Sequence, residues 1–389
     1  MLFELSEYKN RIQHVQKQMH EMGMDVLIVS HPANMFYLSG FTSWSFYVHQ
    51  GLILHKDAEA PLWFGRAQDS NAARIYCWIG NDNIFGYPDH YVMSAVCHPM
   101  EYVADILKER GWDKGKVAVE TDGYYYTARG HNALRTALPE AEVIDDGLIV
   151  NIARRVKSPK EIAYIKEAAQ IAKNTMLTAV ETINVGVREN DAAGAVYKAQ
   201  IAGVNGIGGD YTALCPIMPS AERTSSAHLS WCNDRVYQKG DMVLLELAGA
   251  RYHYHCPVSR TLYIGSPDDE FKRIADVVIN GLSKTLDFIK PGVLAEEVEA
   301  FWRGCLKGTG VEKPSRVGYS FGCAFPPDWG EQNLSLRPGD KTVFEPGMCV
   351  HFMPGIWLDN YGFECSEAIV VTENGCECFI DLERSLFVK

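Results

Sequence analysis

No two of the eleven cysteines stand in Cys-x-x-Cys spacing, which removes zinc knuckles and thioredoxin-type redox pairs from the readings open to this chain. Only Cys376 and Cys378 lie close together, and the scatter fits reduced thiols rather than a disulfide framework. No stretch reaches the roughly 18 consecutive apolar residues of a membrane span. The opening MLFELSEYKN has no basic segment followed by an apolar run, so no secretory leader is expected and the expected compartment is the cytoplasm. Basic residues are in deficit: 37 Lys and Arg against 49 Asp and Glu leave a net charge of -12. That balance speaks against a nucleic-acid or membrane partner and favours a cationic or zwitterionic small molecule. Solenoid-period repeats and low-complexity tracts are also missing. What remains is an ordinary globular composition, 389 residues at 47% hydrophobic, long enough for two domains with substantial cores.

Tyr8, Ile12, Val15, Met19 and Met22 recur at helical spacing between Ser6 and Gly23, which predicts an opening amphipathic helix. DVLIVS, GLIL, PLWFG and KVAVE read as strands with helical stretches between them, so residues 1–155 are expected to form an α/β domain. In SPKEIAYIKEAAQIA, Ser158 is placed to cap, Pro159 takes the first helical position and Glu161 completes a capping box. The boundary is set just before that helix. Residues 156–389 pair DMVLLELAG with PVSRTLYIG and CVHFMPG with SEAIVVTENG, with helices near 271–290 and 295–308. This is an α+β pattern with an antiparallel sheet.

YHYHCPVSRT sets two histidines on alternate positions. Read as one continuous strand, it places His253 and His255 on the same face, with Tyr252, Tyr254 and Cys256 on the other. The spacing permits shared metal ligation, but a third ligand is needed and Glu246 is the only obvious one. A hydrogen-bonding role for His255 is the simpler expectation. Glu246 itself is flanked by leucines, where a carboxylate is rarely buried without a task or a partner such as Arg260.

SSAHLSW, KGDMVLLELAG, PVSRTLYIG, VGYSFG, FEPGM and SEAIVVTENG stand in an order that resembles the pita-bread family of creatinases, prolidases and Xaa-Pro or methionine aminopeptidases, and VKSPKEI at the boundary fits it too. The resemblance implies a creatinase-like N-terminal α/β domain followed by an α+β pita-bread catalytic domain. In metal-dependent members, two ions are held by Asp, Asp, His, Glu and Glu. Carried over, those positions fall on Glu246, Pro257, Tyr319, Met353 and on or beside Glu367. Proline and methionine offer no hard oxygen donor and a neutral phenol is a poor substitute for imidazole. No metal and no other cofactor is therefore expected.

WSFYVHQ, WFGRAQD, GYPDHYV, YHCPVSRTLY, FPPDWGE and HFMPG resemble more closely a metal-free branch of that family, which opens the cyclic amidine of the zwitterion ectoine to N-acetyl-2,4-diaminobutyrate. The resemblance implies Glu246 as nucleophile or water-positioning base, His228 as general acid or base, and Glu367 as partner of the amidinium. His255 and Tyr319 are then substrate-binding candidates. Trp44, Phe46, Tyr47 and His49 are expected to cover the substrate across a homodimer interface, as aromatic faces suit a cation. Arg66, Arg74 and Arg316 are candidates for the substrate carboxylate that the sequence does not rank. The competing expectations are another creatinase-like amidinohydrolase, although Ser259 stands where a creatine-type glutamate is expected, an Xaa-Pro aminopeptidase-type hydrolase, and a non-catalytic binding module of the same fold.

Overall fold

The computed structural model describes residues 1–389, and its internal contacts divide them into two units, Met1–Arg154 and Arg155–Lys389. No helix is long and apolar enough to cross a membrane.

The first unit opens with helix α1 (Leu5–Met22), which buries Tyr8, Ile12, Val15 and Met19 and stops at Gly23 in the left-handed region. Met22, expected on the buried stripe, is 48% exposed, because the helix ends beside it. There follow β1 (Val26–Val29), α2 (Pro32–Ser39), β2 (Gly51–His55), β3 (Leu62–Arg66), α3 (Ser70–Tyr76), β4 (Ile84–Tyr87), α4 (Pro99–Glu109), β5 (Gly115–Val119), α5 (Ala128–Ala137), β6 (Ala141–Asp145) and α6 (Ile149–Ala153). The strands form one mixed sheet in the order β4-β3-β2-β1-β5-β6. Val26, Ile28, Val117 and Val119 pack there against Val103, Leu107 and Leu134 of the helices.

The second unit begins with α7 (Pro159–Thr182), started by the predicted device: Ser158 accepts from the Glu161 amide and Glu161 accepts from the Ser158 amide. The other Glu161 oxygen accepts from the Tyr254 hydroxyl at 2.9 Å, so the cap also ties the helix to the sheet. After α8 (Glu189–Ala202) come β7 (Met242–Arg251) and β8 (Tyr254–Tyr263), antiparallel along their full ten-residue length with Glu246 opposite Ser259 and Ala248 opposite Pro257. Helix α7 crosses this hairpin so closely that a Cβ on Gly249 would lie 2.1 Å from the Ala168 carbonyl oxygen. Helices α9 (Asp269–Phe288) and α10 (Ala295–Cys305) precede β9 (Gly318–Phe325), β10 (Asp328–Ser335), β11 (Cys349–Phe352), β12 (Ile356–Trp357), β13 (Gly362–Phe363), β14 (Glu367–Val371), β15 (Cys376–Cys378) and β16 (Phe387–Val388). The main sheet runs β15-β14-β11-β9-β8-β16, with β10 on β9 and β7 on β8. The interior faces of α9 and α10, including Val278, Leu282 and Trp302, share one core with Val350, Phe352, Ile369 and Val371.

Candidate active site

The inner face of the β7–β8 hairpin carries Glu246, Ala248, Pro257 and Ser259, because alternate residues of a strand share a side. Ala248 packs in a small cluster with Ala213, Tyr319, Ala324 and Trp329, against which Leu214 and Met353 also lie. Four of the five positions carried over from the metal-binding pattern, namely Glu246, Pro257, Tyr319 and Met353, thus converge on one wall. Its chemistry is not that of a metal shell. Proline supplies no donor, the thioether is soft, and the Tyr319 hydroxyl already accepts from Trp329 Nε1 at 2.8 Å and lies 3.1 Å from His351 Nδ1. Nowhere do three His, Cys, Asp or Glu side chains group as a metal site. The donor set does not fit a divalent pair.

Glu246 is 5% exposed. Burial, with Glu364 and then Asp328 as its charged neighbours, drives its carboxyl well above the usual carboxylate range. Desolvation and like charge act in the same direction here. Glu364, fully buried, is pushed up to about 7, again mainly by burial, with Lys313 and the Ser259 hydroxyl opposing. Lys313 is in turn lowered to about 8 by burial, donates to the Gly355 carbonyl at 2.6 Å, and sits 4.3 Å from the Trp357 ring centre. Arg316 is exposed and lays its guanidinium 4.5 Å over the Tyr319 ring. Arg66 pairs with Asp89, and Arg74 donates to Ser70 and Asn71.

Several expected roles change. The turn between β7 and β8 is Tyr252–His253, both at positive φ (49° and 63°), so His253 stands outside the strand and the two histidines do not share its face. His253 stacks on Phe325 at 4.3 Å instead. His255 has both ring nitrogens committed to backbone: Nδ1 to the His253 carbonyl and Nε2 to the Ala213 amide, each at 2.8 Å. Nδ1 therefore donates and Nε2 accepts. The ring anchors the 210–214 loop, leaves no nitrogen for substrate, and is held near pKa 4, chiefly by burial. Glu367 also faces away from Glu246: it accepts from Arg260 at 2.8 Å in a fully buried pair, with Arg384 3.6 Å off. Arg260, expected as a partner of Glu246, is thereby taken. The neighbour of Glu367 that takes part in the site is Ser366, whose hydroxyl accepts from the Ser259 amide and lies 2.7 Å from His351 Nε2.

His228 lies on an exposed turn after a short 3-10 helix, Ala221–Ser225. The root of this loop is fixed by a bridge from Ser220 to Val243 and by Arg223 donating to the Ser230 carbonyl at 2.9 Å. Trp44, Phe46, Tyr47 and His49 belong to the first unit. There, Tyr47, His49, Tyr87, Tyr91, His98 and Arg129 line a cavity of about 120 Å³, the Trp44 and Phe46 rings meet at 4.8 Å, and His49 meets His98 at 4.4 Å.

Residues 11–156 match the creatinase/prolidase N-terminal domain, and residues 163–373, more than half of the chain, match metallopeptidase family M24. The chain belongs to the creatinase/prolidase family. Ectoine hydrolase of Halomonas elongata is 40% identical over 394 aligned residues, covering 100% of this chain and 98% of that protein. An uncharacterized hydrolase/peptidase of Sinorhizobium fredii, y4tM, is also 40% identical, with 100% and 98% covered. Among solved structures, prolidase from Thermococcus sibiricus superposes with a TM-score of 0.85 over 98% of this chain and 99% of that one at 21% identity. The fold of this creatinase/prolidase family member is thus an N-terminal α/β domain with a pita-bread C-terminal domain, and the chain is a hydrolase of carbon–nitrogen bonds.

The family's ligand positions, carried over onto Glu246, Pro257, Tyr319, Met353 and on or beside Glu367, frame a carboxylate cluster that sequence reasoning only half found. It missed Glu364, Asp328 and His351. The alternation in FECSE was the available signal, since Glu364 and Ser366 share one side and Glu367 the other.

Proposed function

We propose that this chain hydrolyses ectoine to N-acetyl-2,4-diaminobutyrate without a metal ion. The observation that carries the reading is Glu246, buried beside Glu364 and Asp328 with no cation paired to it. An amidinium substrate supplies the missing positive charge, and its arrival returns Glu246 to the anion that attacks. The full-length similarity to a protein named ectoine hydrolase supports the same substrate.

In this mechanism a Glu246 oxygen bonds to the amidine carbon, and the electron pair of the broken carbon–nitrogen π bond moves to nitrogen. A proton reaches one ring nitrogen, the ring carbon–nitrogen bond breaks, and water then cleaves the carbon–oxygen bond of the adduct. The acetamide is released and Glu246 regenerated. Glu364, poised to about 7, suits proton transfer near neutral pH and replaces Glu367 as the second carboxylate. His228 acts as proton carrier when its exposed turn closes on bound substrate. Arg316 is assigned the substrate carboxylate, because its guanidinium lies against Tyr319 and no carboxylate pairs with it. Turnover of ectoine that survives exhaustive chelation is expected. Loss of activity with removal of stoichiometric metal would overturn metal independence, and cleavage of Xaa-Pro dipeptides with none of ectoine would return the chain to the peptidases.

A homodimer completes this reading. Trp44 and Tyr47, 58% and 59% exposed, cap the pocket of the partner subunit, with Phe46 and His49 beside them. Sedimentation of the active enzyme is expected to show a dimer; a fully active monomer would remove that assignment.

A further inference from the structure

The exposed turn that carries His228 has a closed neck. On its near side the chain pairs with the edge of β7: the Ile217 amide donates to the Glu246 carbonyl at 3.1 Å, the Glu246 amide returns a bond of 3.0 Å, and the Leu244 amide donates to the Pro219 carbonyl at 3.1 Å. On its far side the Glu189 amide donates to the Arg235 carbonyl at 2.8 Å and the Tyr237 amide to the Val187 carbonyl at 2.9 Å. Between them Thr224, fully buried, accepts on its hydroxyl from the Gly362 amide at 3.1 Å. Gly362 opens β13, which leads directly into Glu364. The neck of the His228 turn thus lies against the strand that holds Glu246 and the segment that delivers Glu364.

One side chain ties the two sides together. Glu189, the first residue of α8, has no exposed surface. Its Oε1 accepts from the Ser220 hydroxyl and from Arg235 Nη1 at 3.2 Å, and its Oε2 accepts from the Cys232 amide, with Arg223 Nη1 3.5 Å away. Each oxygen therefore holds one end of the loop and is backed by one arginine. The arginines are fixed in turn, Arg235 by two bonds to Asp241 at 2.8 and 2.9 Å and Arg223 by donating to the Ser230 carbonyl inside the loop. An acidic residue in the first turn of a helix ordinarily serves the free amides there. These four contacts go to the loop instead, and they satisfy a carboxylate whose burial is otherwise costly.

We propose that Glu189 is a positioning residue for His228: by joining Ser220 to Cys232 it closes the neck of the loop and restricts the places to which the turn can carry the imidazole. Joining the ends of a flexible segment removes conformations it would otherwise sample, and a proton carrier works only from hydrogen-bond reach of its target. The clamp stands on the bonds above; its effect on turnover rests on the ectoine reading with His228 as proton carrier.

The test uses the full-length protein in two variants. Glu189→Gln keeps the shape, but an amide nitrogen replaces one oxygen, so the side chain cannot accept at both ends. Ser220→Ala releases one end and leaves Glu189 its arginines. Hydrogen exchange read by mass spectrometry is expected to quicken roughly tenfold or more across residues 221–232 in both variants, with the α8 and β7 peptides unchanged. Wild-type exchange in the loop, or loosening of α8 and β7 along with it, overturns the clamp. If Glu189→Gln does not fold, Ser220→Ala alone decides. In ectoine turnover, Glu189→Gln is expected to lower kcat by roughly 10- to 10²-fold with KM changed only a few-fold, below the roughly 10²–10⁴-fold of losing the carrier itself. Added to His228→Ala it should cost nothing further, since a positioning residue has no effect once the group it positions is gone. Losses that multiply, or a loss carried by KM, overturn the positioning role. If the wild type does not open ectoine, the functional reading fails and the exchange result still decides the clamp.

Discussion

Glu246 and Glu367 are both buried glutamates on strands, yet their surroundings assign them opposite work. Glu367 is neutralised by Arg260, a guanidinium that also donates to the carbonyls of Ser259, Ser366, Leu382 and Glu383. Breaking one side of such a pair leaves a charge stranded in the interior. Glu246 has no cation, and its burial raises its carboxyl instead. A Glu246→Gln exchange is therefore expected to reduce turnover of ectoine by several orders of magnitude, roughly as loss of a nucleophile does, while the melting temperature holds or rises. For Glu367→Gln the expectation reverses: a clear drop in melting temperature with kcat within several-fold of wild type. Paired melting curves and steady-state rates check both. Near wild-type turnover in Glu246→Gln would return this carboxylate to a packing role.

At the scale of elements, local signals were legible wherever the chain decides its own conformation. The Ser158–Glu161 capping box, the stop at Gly23 and the β7–β8 and β11–β14 pairings were all readable, because capping, left-handed termini and strand alternation act over a few residues. What escaped was set by neighbours distant in sequence. YHYH reads as an unbroken strand, but the hairpin reverses at Tyr252–His253, and the resulting two-residue turn takes His253 off the sheet. Nothing local announces that Arg260 lies against Glu367 across 107 residues, or that His255 is used by the amide of Ala213. In the candidate site, Glu246 and Tyr319 were recoverable because a family pattern marks their positions. Glu364 and His351 fall at positions where that pattern has no ligand, and only the fold brings them to it.

For the whole molecule, the buried carboxyls shape how stability depends on pH, and Asp146 in the first unit gives the cleanest measure. It is fully buried between β6 and α6, and its carboxyl is pushed up to about 7 by burial and then by Glu120, with the nearby amides of Leu148 and Ile149 opposing only in part. An unfolded aspartate titrates near 3.9, so from about pH 4 to 7 the folded state holds a proton that the unfolded state has lost. Stability from this group is fully present below that window and is lost as pH rises through the folded pKa. Asp146→Asn cannot ionise, and so it should melt above wild type by several degrees at pH 8, an advantage on the order of 1–4 kcal/mol at about 1.4 kcal/mol per pKa unit. The advantage should shrink steadily toward pH 5, where the wild-type carboxyl is already neutral. Thermal denaturation of both proteins across that range reads the difference directly, with Glu364 and Glu246 common to both. A gap that stays constant from pH 5 to 8 would mean that Asp146 is ionised throughout, and a gap that widens toward pH 5 would reverse the sign of its coupling to folding.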